Sequence, residues 1–242
     1  MRDLKKLFSK ENIAIITCYD ASFASFLSKT HCDALLVGDS LGILIKGQSS
    51  TLEVKMSEVL YHTESVRKGA PLMPIISDMP INSFSDKNLA LKNARLLINA
   101  GADMVKIEGE NDILDVVKHL SINKILVCGH IGSMPQVKKI KNLPDEELLL
   151  KAKNLEEAGL KMLVMSMTSE LDDKAITNKL SIPTIGFRSS PFCNGEVKLL
   201  YDLLGITSAS ISNEKKEIGK IEQPTILDKI EKFIKKIHTR KI

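Results

Sequence analysis

Short apolar runs alternate along the chain with longer stretches whose apolar residues recur every three or four positions. Residues 13–18, 34–37, 74–77, 104–107, 125–128, 162–165 and 184–187 are each brief, rich in β-branched or other apolar side chains, and too short for a globular helix. Between them, helical spacing is seen over residues 57–68, 86–99, 113–119, 145–158 and 172–179. Gly101 and Gly159 follow two of these stretches, where a left-handed C-cap is expected. Regular strand–helix alternation predicts a parallel sheet with helices outside it. An eighth strand near residues 196–200 closes an α/β fold of the (β/α)8 TIM-barrel type, one domain over residues 1–242.

Residues 214–242 read differently. Thr225, with Asp228 three positions on, is placed to cap a helix, and Ile226, Leu227, Ile230, Phe233, Ile234 and Ile237 then share one face with lysines opposite. This predicts a C-terminal amphipathic helix, an extension that docks on its own barrel or on a neighbouring subunit.

Composition narrows the functional classes. In 242 residues there are 34 Lys+Arg against 30 Asp+Glu, and 43% are hydrophobic, which excludes a disordered chain or a rod. Nine Lys+Arg and five Asp+Glu fall in residues 214–242, so the whole positive excess lies there and the remainder is neutral. A neutral body with 4% aromatics and no Trp argues against a nucleic-acid partner. No apolar run is long enough for a membrane span, and the charged start, residues 1–6, is followed by no signal-like apolar core, so no membrane and a cytoplasmic location are expected. Cys18, Cys32, Cys128 and Cys193 form no CxxC pair and read as reduced thiols.

In a parallel barrel, chemistry sits where strands end. Asp39 and Ser40 follow the second strand, Asp78 the third and Glu108 the fourth, with Lys106 just inside; Gly129 and His130 follow the fifth. Carboxylates converging on one mouth repel unless a cation lies among them, and a set of oxygen ligands without thiolate suits Mg²⁺. Such an ion keeps positions for a chelating 2-oxo acid, whose keto group it would polarise, while Lys106 and Ser40 could hold the carboxylate. Simpler roles stand beside these: a strand-end Asp as a helix cap, Lys106 neutralising Glu108, His130 donating to backbone, and Met162, Met165 and Met167 filling the core. Cys193 lacks an adjacent base that would make it a nucleophile.

Several segments taken in order resemble ketopantoate hydroxymethyltransferase (3-methyl-2-oxobutanoate hydroxymethyltransferase). They are residues 17–21 (TCYDA), 37–42 (VGDSLG), 50–54 (STLEV), 61–63 (YHT), 78–80 (DMP), 105–109 (VKIEG), 129–136 (GHIGSMPQ) and 182–186 (IPTIG), with Asn93, Ala94, Gly101 and Ala102. The resemblance implies a barrel of the phosphoenolpyruvate mutase/isocitrate lyase type, usually a homo-oligomeric decamer. It implies transfer of a hydroxymethyl group from the co-substrate 5,10-methylenetetrahydrofolate to 3-methyl-2-oxobutanoate through a magnesium-stabilised enolate, giving 2-dehydropantoate for pantothenate biosynthesis. The family's magnesium residues match Asp39, Asp78 and Glu108, and its keto-acid contacts match Asp39, Ser40, Asp78 and Lys106.

Three departures accompany the match. Ser166 stands where the family has the Glu that accepts the proton, and a serine hydroxyl needs activation to do so. Glu170 lies four residues on. The glycine-rich segment after Gln136 has no counterpart, and the family's Gly-Ile-Gly-Ala-Gly is here Gly186 followed by Phe187, Arg188, Ser189 and Ser190. A metal-dependent oxo-acid lyase or aldolase, or a catalytically impaired paralogue, are the alternative expectations.

Overall fold

The computed structural model describes residues 12–134, 136 and 145–207, with Leu4 and Phe8. The helix expected within residues 214–242 lies outside the described residues. Eight parallel strands close into a barrel in sequence order, with β8 pairing back onto β1. The strands are β1 (Ile13–Thr17), β2 (Ala34–Val37), β3 (Ile75–Asp78), β4 (Met104–Glu108), β5 (Val127–Gly132), β6 (Met162–Ser166), β7 (Thr184–Phe187) and β8 (Gly195–Lys198). The helices are α1 (Ala21–Leu27), α2 (Leu41–Leu44), α3 (Met56–Gly69), α4 (Lys87–Ala100), α5 (Leu114–Ile122), α6 (Asp145–Ala158), α7 (Glu170–Lys179) and α8 (Leu200–Leu203). The strands belong to a compact unit spanning Met1–Leu200. Tyr201–Ile242 form a second unit, within which Thr207 Oγ1 donates to Asp202 Oδ1.

Helix ends follow the sequence. Asp20 and Asp86 cap α1 and α4 by accepting backbone N–H bonds, and Gly101 and Gly159 adopt the expected left-handed conformation, both at φ 114°. Three short helices, α1, α2 and α8, were not legible from periodicity, because seven or four residues are too few to show it.

Strand facing decides where chemistry sits. Ile13, Ile15, Ala34, Leu36, Ile76, Met104, Cys128, Met162, Val164, Ile185 and Val197 form one buried cluster, drawn from all eight strands at alternate positions. This is the apolar plug inside the barrel. The next inward position on β3, β4, β5 and β6 is Asp78, Lys106, His130 and Ser166. A polar layer therefore caps the plug at the C-terminal ends of the strands. Residues 129–132 belong to β5 rather than following it, and Glu108 and Asp78 end their strands rather than opening loops. β3, β4 and β5 are buried on both faces, so their apolar runs could not mark where pairing stops.

Candidate active site

The strand register sets the polar layer side by side. Asp78 pairs with Lys106 across β3 and β4, and Glu108 with His130 across β4 and β5. Lys106 Nζ lies 3.1 Å from Asp78 Oδ1 and 3.6 Å from Glu108 Oε1, and all three side chains are buried. His130 Nδ1 meets Glu108 Oε1 at 2.8 Å, so this histidine is held by a carboxylate and not by backbone. Its Nε2 is buried and has no hydrogen-bond partner among the described residues.

Asp39 enters from the turn after β2. Its backbone N–H donates to Asp78 Oδ2 at 3.0 Å, and Gln136 Nε2 donates to its Oδ2 at 2.9 Å. Gln136 also donates from its backbone to Glu108 Oε2 at 3.1 Å. One side chain and one backbone group of Gln136 thus span two acids from different strands. Sequence reasoning missed this residue as a site member; its place at the end of the 129–136 motif was the available signal. Tyr19 was missed likewise. Its buried phenol lies 2.8 Å from Ser40 Oγ and fixes the hydroxyl that follows Asp39, while its carbonyl meets His62 Nδ1 at 2.6 Å. His62 is thereby structural.

The electrostatics are unbalanced. Three carboxylates face one lysine, a surplus of two negative charges if all are ionised. Burial raises the Asp39 carboxyl, and the nearby Glu108 adds to this; burial likewise lifts Asp78 to about 7 despite Lys106. Glu108 is burdened by burial too, but His130 and Lys106 outweigh it and hold it near 2. Lys106 itself is pushed up, because the three acids overcome its desolvation.

This arrangement fits a divalent cation of the Mg²⁺ type. Asp78 Oδ1 is buried without a hydrogen bond, its contact with Lys106 being an ion pair outside hydrogen-bond alignment. Asp39 Oδ1 carries no hydrogen bond among the described residues. Two carboxylate oxygens with water and substrate oxygens suit magnesium. Among the described residues no three His, Cys, Asp or Glu side chains form a ready three-residue ligand set. Glu108 is engaged with His130, Lys106 and Gln136, so Asp39 and Asp78 are the residues that could hold the ion directly.

Around β6 and β7 the picture departs from expectation. Ser166 is buried at the end of β6, and its carbonyl accepts from Ser133 N–H at 2.8 Å. Gly132, at φ 92°, permits that approach, since a Cβ there would lie 2.3 Å from the Ser166 carbonyl oxygen. Glu170 is exposed in the first turn of α7 and is not turned into this layer; Asp172 and Asp173 are the carboxylates that α7 buries, Asp173 fully. Asp173 accepts from Thr168 Oγ1, Ser190 N and Ser190 Oγ and ties the loops after β6 and β7 together. Arg188 lies over the Phe187 ring, 5.0 Å from its centroid. Met162 and Met165 are core, but Met167 is 60% exposed at φ 51°, beyond the strand end. All four cysteines are free, with Cys18 and Cys128 buried.

The family model of ketopantoate hydroxymethyltransferase matches residues 1–242. The chain belongs to the ketopantoate hydroxymethyltransferase family. It is 40% identical over 235 residues to 3-methyl-2-oxobutanoate hydroxymethyltransferase of Buchnera aphidicola subsp. Acyrthosiphon pisum (strain 5A), covering 93% of this chain and 89% of that protein. It is 42% identical to the Wigglesworthia glossinidia brevipalpis protein of the same name, over 85% of this chain and 81% of the other. Among solved structures it resembles phosphoenolpyruvate phosphomutase from Streptomyces platensis subsp. rosaceus (TM-score 0.70, 14% identity, 96% of each chain). It also resembles 2,3-dimethylmalate lyase, a PEP mutase/isocitrate lyase superfamily member (TM-score 0.62, 14% identity, 97% of this chain and 95% of that one). At such identities these structures establish the barrel type, in agreement with the sequence expectation.

Proposed function

We propose that this family member transfers a hydroxymethyl group from 5,10-methylenetetrahydrofolate to 3-methyl-2-oxobutanoate, giving 2-dehydropantoate for pantothenate biosynthesis. The observation that carries the reading is the buried surplus of carboxylate at the barrel mouth, with open oxygens on Asp39 and Asp78 beside one lysine. Asp39 and Asp78 would hold a Mg²⁺ ion, with Glu108 behind them as a charge partner. When bound, the ion draws electron density from the keto oxygen and acidifies the neighbouring C3–H. Lys106 Nζ and the Ser40 hydroxyl bind the substrate carboxylate and set its orientation, Ser40 being fixed by Tyr19. His130 Nε2, anchored through Nδ1 on Glu108, faces the substrate as a hydrogen-bonding group. Loss of the C3 proton leaves a carbon nucleophile that forms the new C–C bond to the one-carbon unit; both C–N bonds to the folate break, water supplies the hydroxyl oxygen, and tetrahydrofolate leaves. The assembly is a homo-oligomer, decameric like the family, in the cytoplasm; light scattering on the purified protein measures the former.

A second reading is favoured by Ser166 at the position of the family's proton acceptor: a member that binds metal and oxo acid but turns over slowly. One experiment separates the two. In D₂O with Mg²⁺, the ¹H signal of C3–H in 3-methyl-2-oxobutanoate disappears if the protein removes that proton, with no folate present. Exchange followed by 2-dehydropantoate on adding the methylene donor supports transfer. Persistence of the C3–H signal with Mg²⁺ and oxo acid bound favours the impaired member.

A further inference from the structure

The residues that would hold the oxo acid lie on one arc of the barrel. Asp39 follows β2, Asp78 ends β3, and Lys106 lies in β4. In a ring of eight strands closed in sequence order, the strand opposite β3 is β7. A short 2-oxo acid gripped by its keto and carboxylate oxygens on the β2–β4 side has the rest of its carbon chain towards β6 and β7. At this level β3, β4, β5 and β6 turn Asp78, Lys106, His130 and Ser166 inward, and β7 turns in Phe187. Of these five side chains, the phenylalanine ring is the apolar one.

Phe187 is half-buried and packs on the apolar plug, two residues beyond Ile185, the plug member on the same strand. It is the register partner of Ser166, so the two Cα atoms stand about 4.8 Å apart on neighbouring strands. The ring has little freedom. It rests on the plug, and the Arg188 guanidinium lies over it, 5.0 Å from the centroid. The backbone is fixed as well. Phe187 O accepts from Met167 N–H at 3.1 Å, and Ser189 Oγ donates to Met165 O at 3.0 Å. Asp173 accepts from Thr168 Oγ1, from Ser190 N–H at 2.8 Å and from Ser190 Oγ at 2.6 Å. These bonds hold Arg188 at φ 54°, a left-handed value that a non-glycine residue keeps only when its surroundings pin it. Phe187, Ser189 and Ser190 all belong to the segment after Gly186 in which this chain departs from its family, so the wall is the chain's own.

We infer that Phe187 is the specificity-determining residue for the alkyl end of the oxo acid: its held ring accepts the two methyl groups on C3 of 3-methyl-2-oxobutanoate and rejects a longer chain there. The inference rests on the proposed metal and oxo-acid site. With the ion, Lys106 and Ser40 taking up the oxygens, what remains of the substrate is hydrocarbon. Hydrocarbon gains by facing an aromatic ring in place of Asp78, Lys106 or His130. A ring free to swing aside would discriminate little, whereas one held between plug and guanidinium meets an extra methylene as overpacking. One methylene against an apolar wall is worth about 10–200-fold in discrimination.

The test uses full-length protein with Mg²⁺, and calorimetry on 3-methyl-2-oxobutanoate and 3-methyl-2-oxopentanoate, which differ by one methylene on C3. Wild type should bind the longer acid at least about tenfold more weakly. Phe187→Ala should bring that ratio below about threefold, by tightening the longer acid and weakening the shorter, and Phe187→Leu should fall between. A substitution that merely loosens the fold weakens both acids alike and leaves the ratio where it was. Phe187→Leu keeps an apolar side chain on the plug, so it carries the test if Phe187→Ala lowers the melting temperature. A ratio unchanged in both variants, or no discrimination by wild type, overturns the role of Phe187 and leaves the oxo-acid site standing. Relaxed discrimination without any 2-dehydropantoate formed supports the wall in a member that binds and does not turn over. No oxo acid bound by wild type with Mg²⁺ overturns the site and the wall together.

Discussion

Arg67→Ala should unfasten the closed end of the barrel, opposite the polar layer. Arg67 lies near the end of α3 and is a hub for chain segments entering β3 and β4. Its Nε donates to Gly101 O at 2.8 Å, and its Nη1 to the carbonyls of Ala70, Pro71 and Met73 at 2.9–3.0 Å. Its Nη2 meets Asp103 Oδ2 at 2.8 Å, and the same oxygen accepts from Ile75 N–H, the first residue of β3. Truncation leaves Asp103 mostly buried beside lost donors, the side chains of the pair being only 15% and 7% exposed. Breaking a fully buried pair costs about 3–5 kcal/mol. Part of this cluster can rehydrate, because the Pro71 bond is exposed, so about 3 kcal/mol is the expected loss. For a protein of this size, 1 kcal/mol moves the melting temperature by about 2–4 °C, so the midpoint should fall by roughly 6–12 °C. Thermal unfolding followed by circular dichroism measures this. Arg67→Lys should recover less than half, since an ammonium cannot span acceptors on both sides as the planar guanidinium does. A double-mutant cycle with Asp103→Ala should show coupling above about 1 kcal/mol. A midpoint loss under about 2 °C, or full rescue by lysine, would refute the reasoning.

Further outcomes follow from the site. Lys106→Met removes the cation between Asp78 and Glu108, and should cut kcat/KM for the oxo acid by at least about a hundredfold, read in saturation kinetics; a loss under tenfold counts against its carboxylate role. Asp39→Ala and Asp78→Ala should each abolish the rise in melting temperature that Mg²⁺ with 3-methyl-2-oxobutanoate produces in wild type, and an undiminished rise in either variant argues against its place at the ion. Ser166→Glu, which restores the family residue, should raise turnover by about 10²-fold if proton removal limits the wild type; unchanged turnover assigns proton removal to another group. Burial pushes Cys193 up to about 12 and Cys18 to about 11. At pH 8 the Cys193 thiolate fraction is then roughly one in ten thousand, so alkylation should be slow in the native state and rise with pH until unfolding frees the thiols. Rapid native labelling of Cys193 at pH 8 contradicts that environment.

Much of the architecture was legible because barrel formation depends on local signals that a sequence carries openly. The runs at residues 34–37 and 184–187 coincide with β2 and β7, and the stretch at 145–158 coincides with α6. Asp39, Asp78, Lys106 and Glu108 were legible for a related reason: polar residues directly after apolar runs fall at strand ends, where barrels place chemistry. Tyr19 and Gln136 were not, because hydrogen bonds across 21 residues to Ser40 and across 97 residues to Asp39 leave no periodic trace. Nor was the orientation of His130, which the sequence left between a backbone and a substrate partner until the β4–β5 register set it against Glu108.

The amino-acid order alone determined the succession of strands and longer helices, the caps at Gly101 and Gly159, and which residues stand at strand ends, since these follow from spacing and backbone preference over a few residues. Tertiary structure alone decided which side chains face inward, how Lys106 divides between two acids, and that Glu170 stays outside while Asp173 is buried. Those outcomes depend on register and closure around eight strands, where side chains far apart in the chain share one low-dielectric space and settle one another's charge.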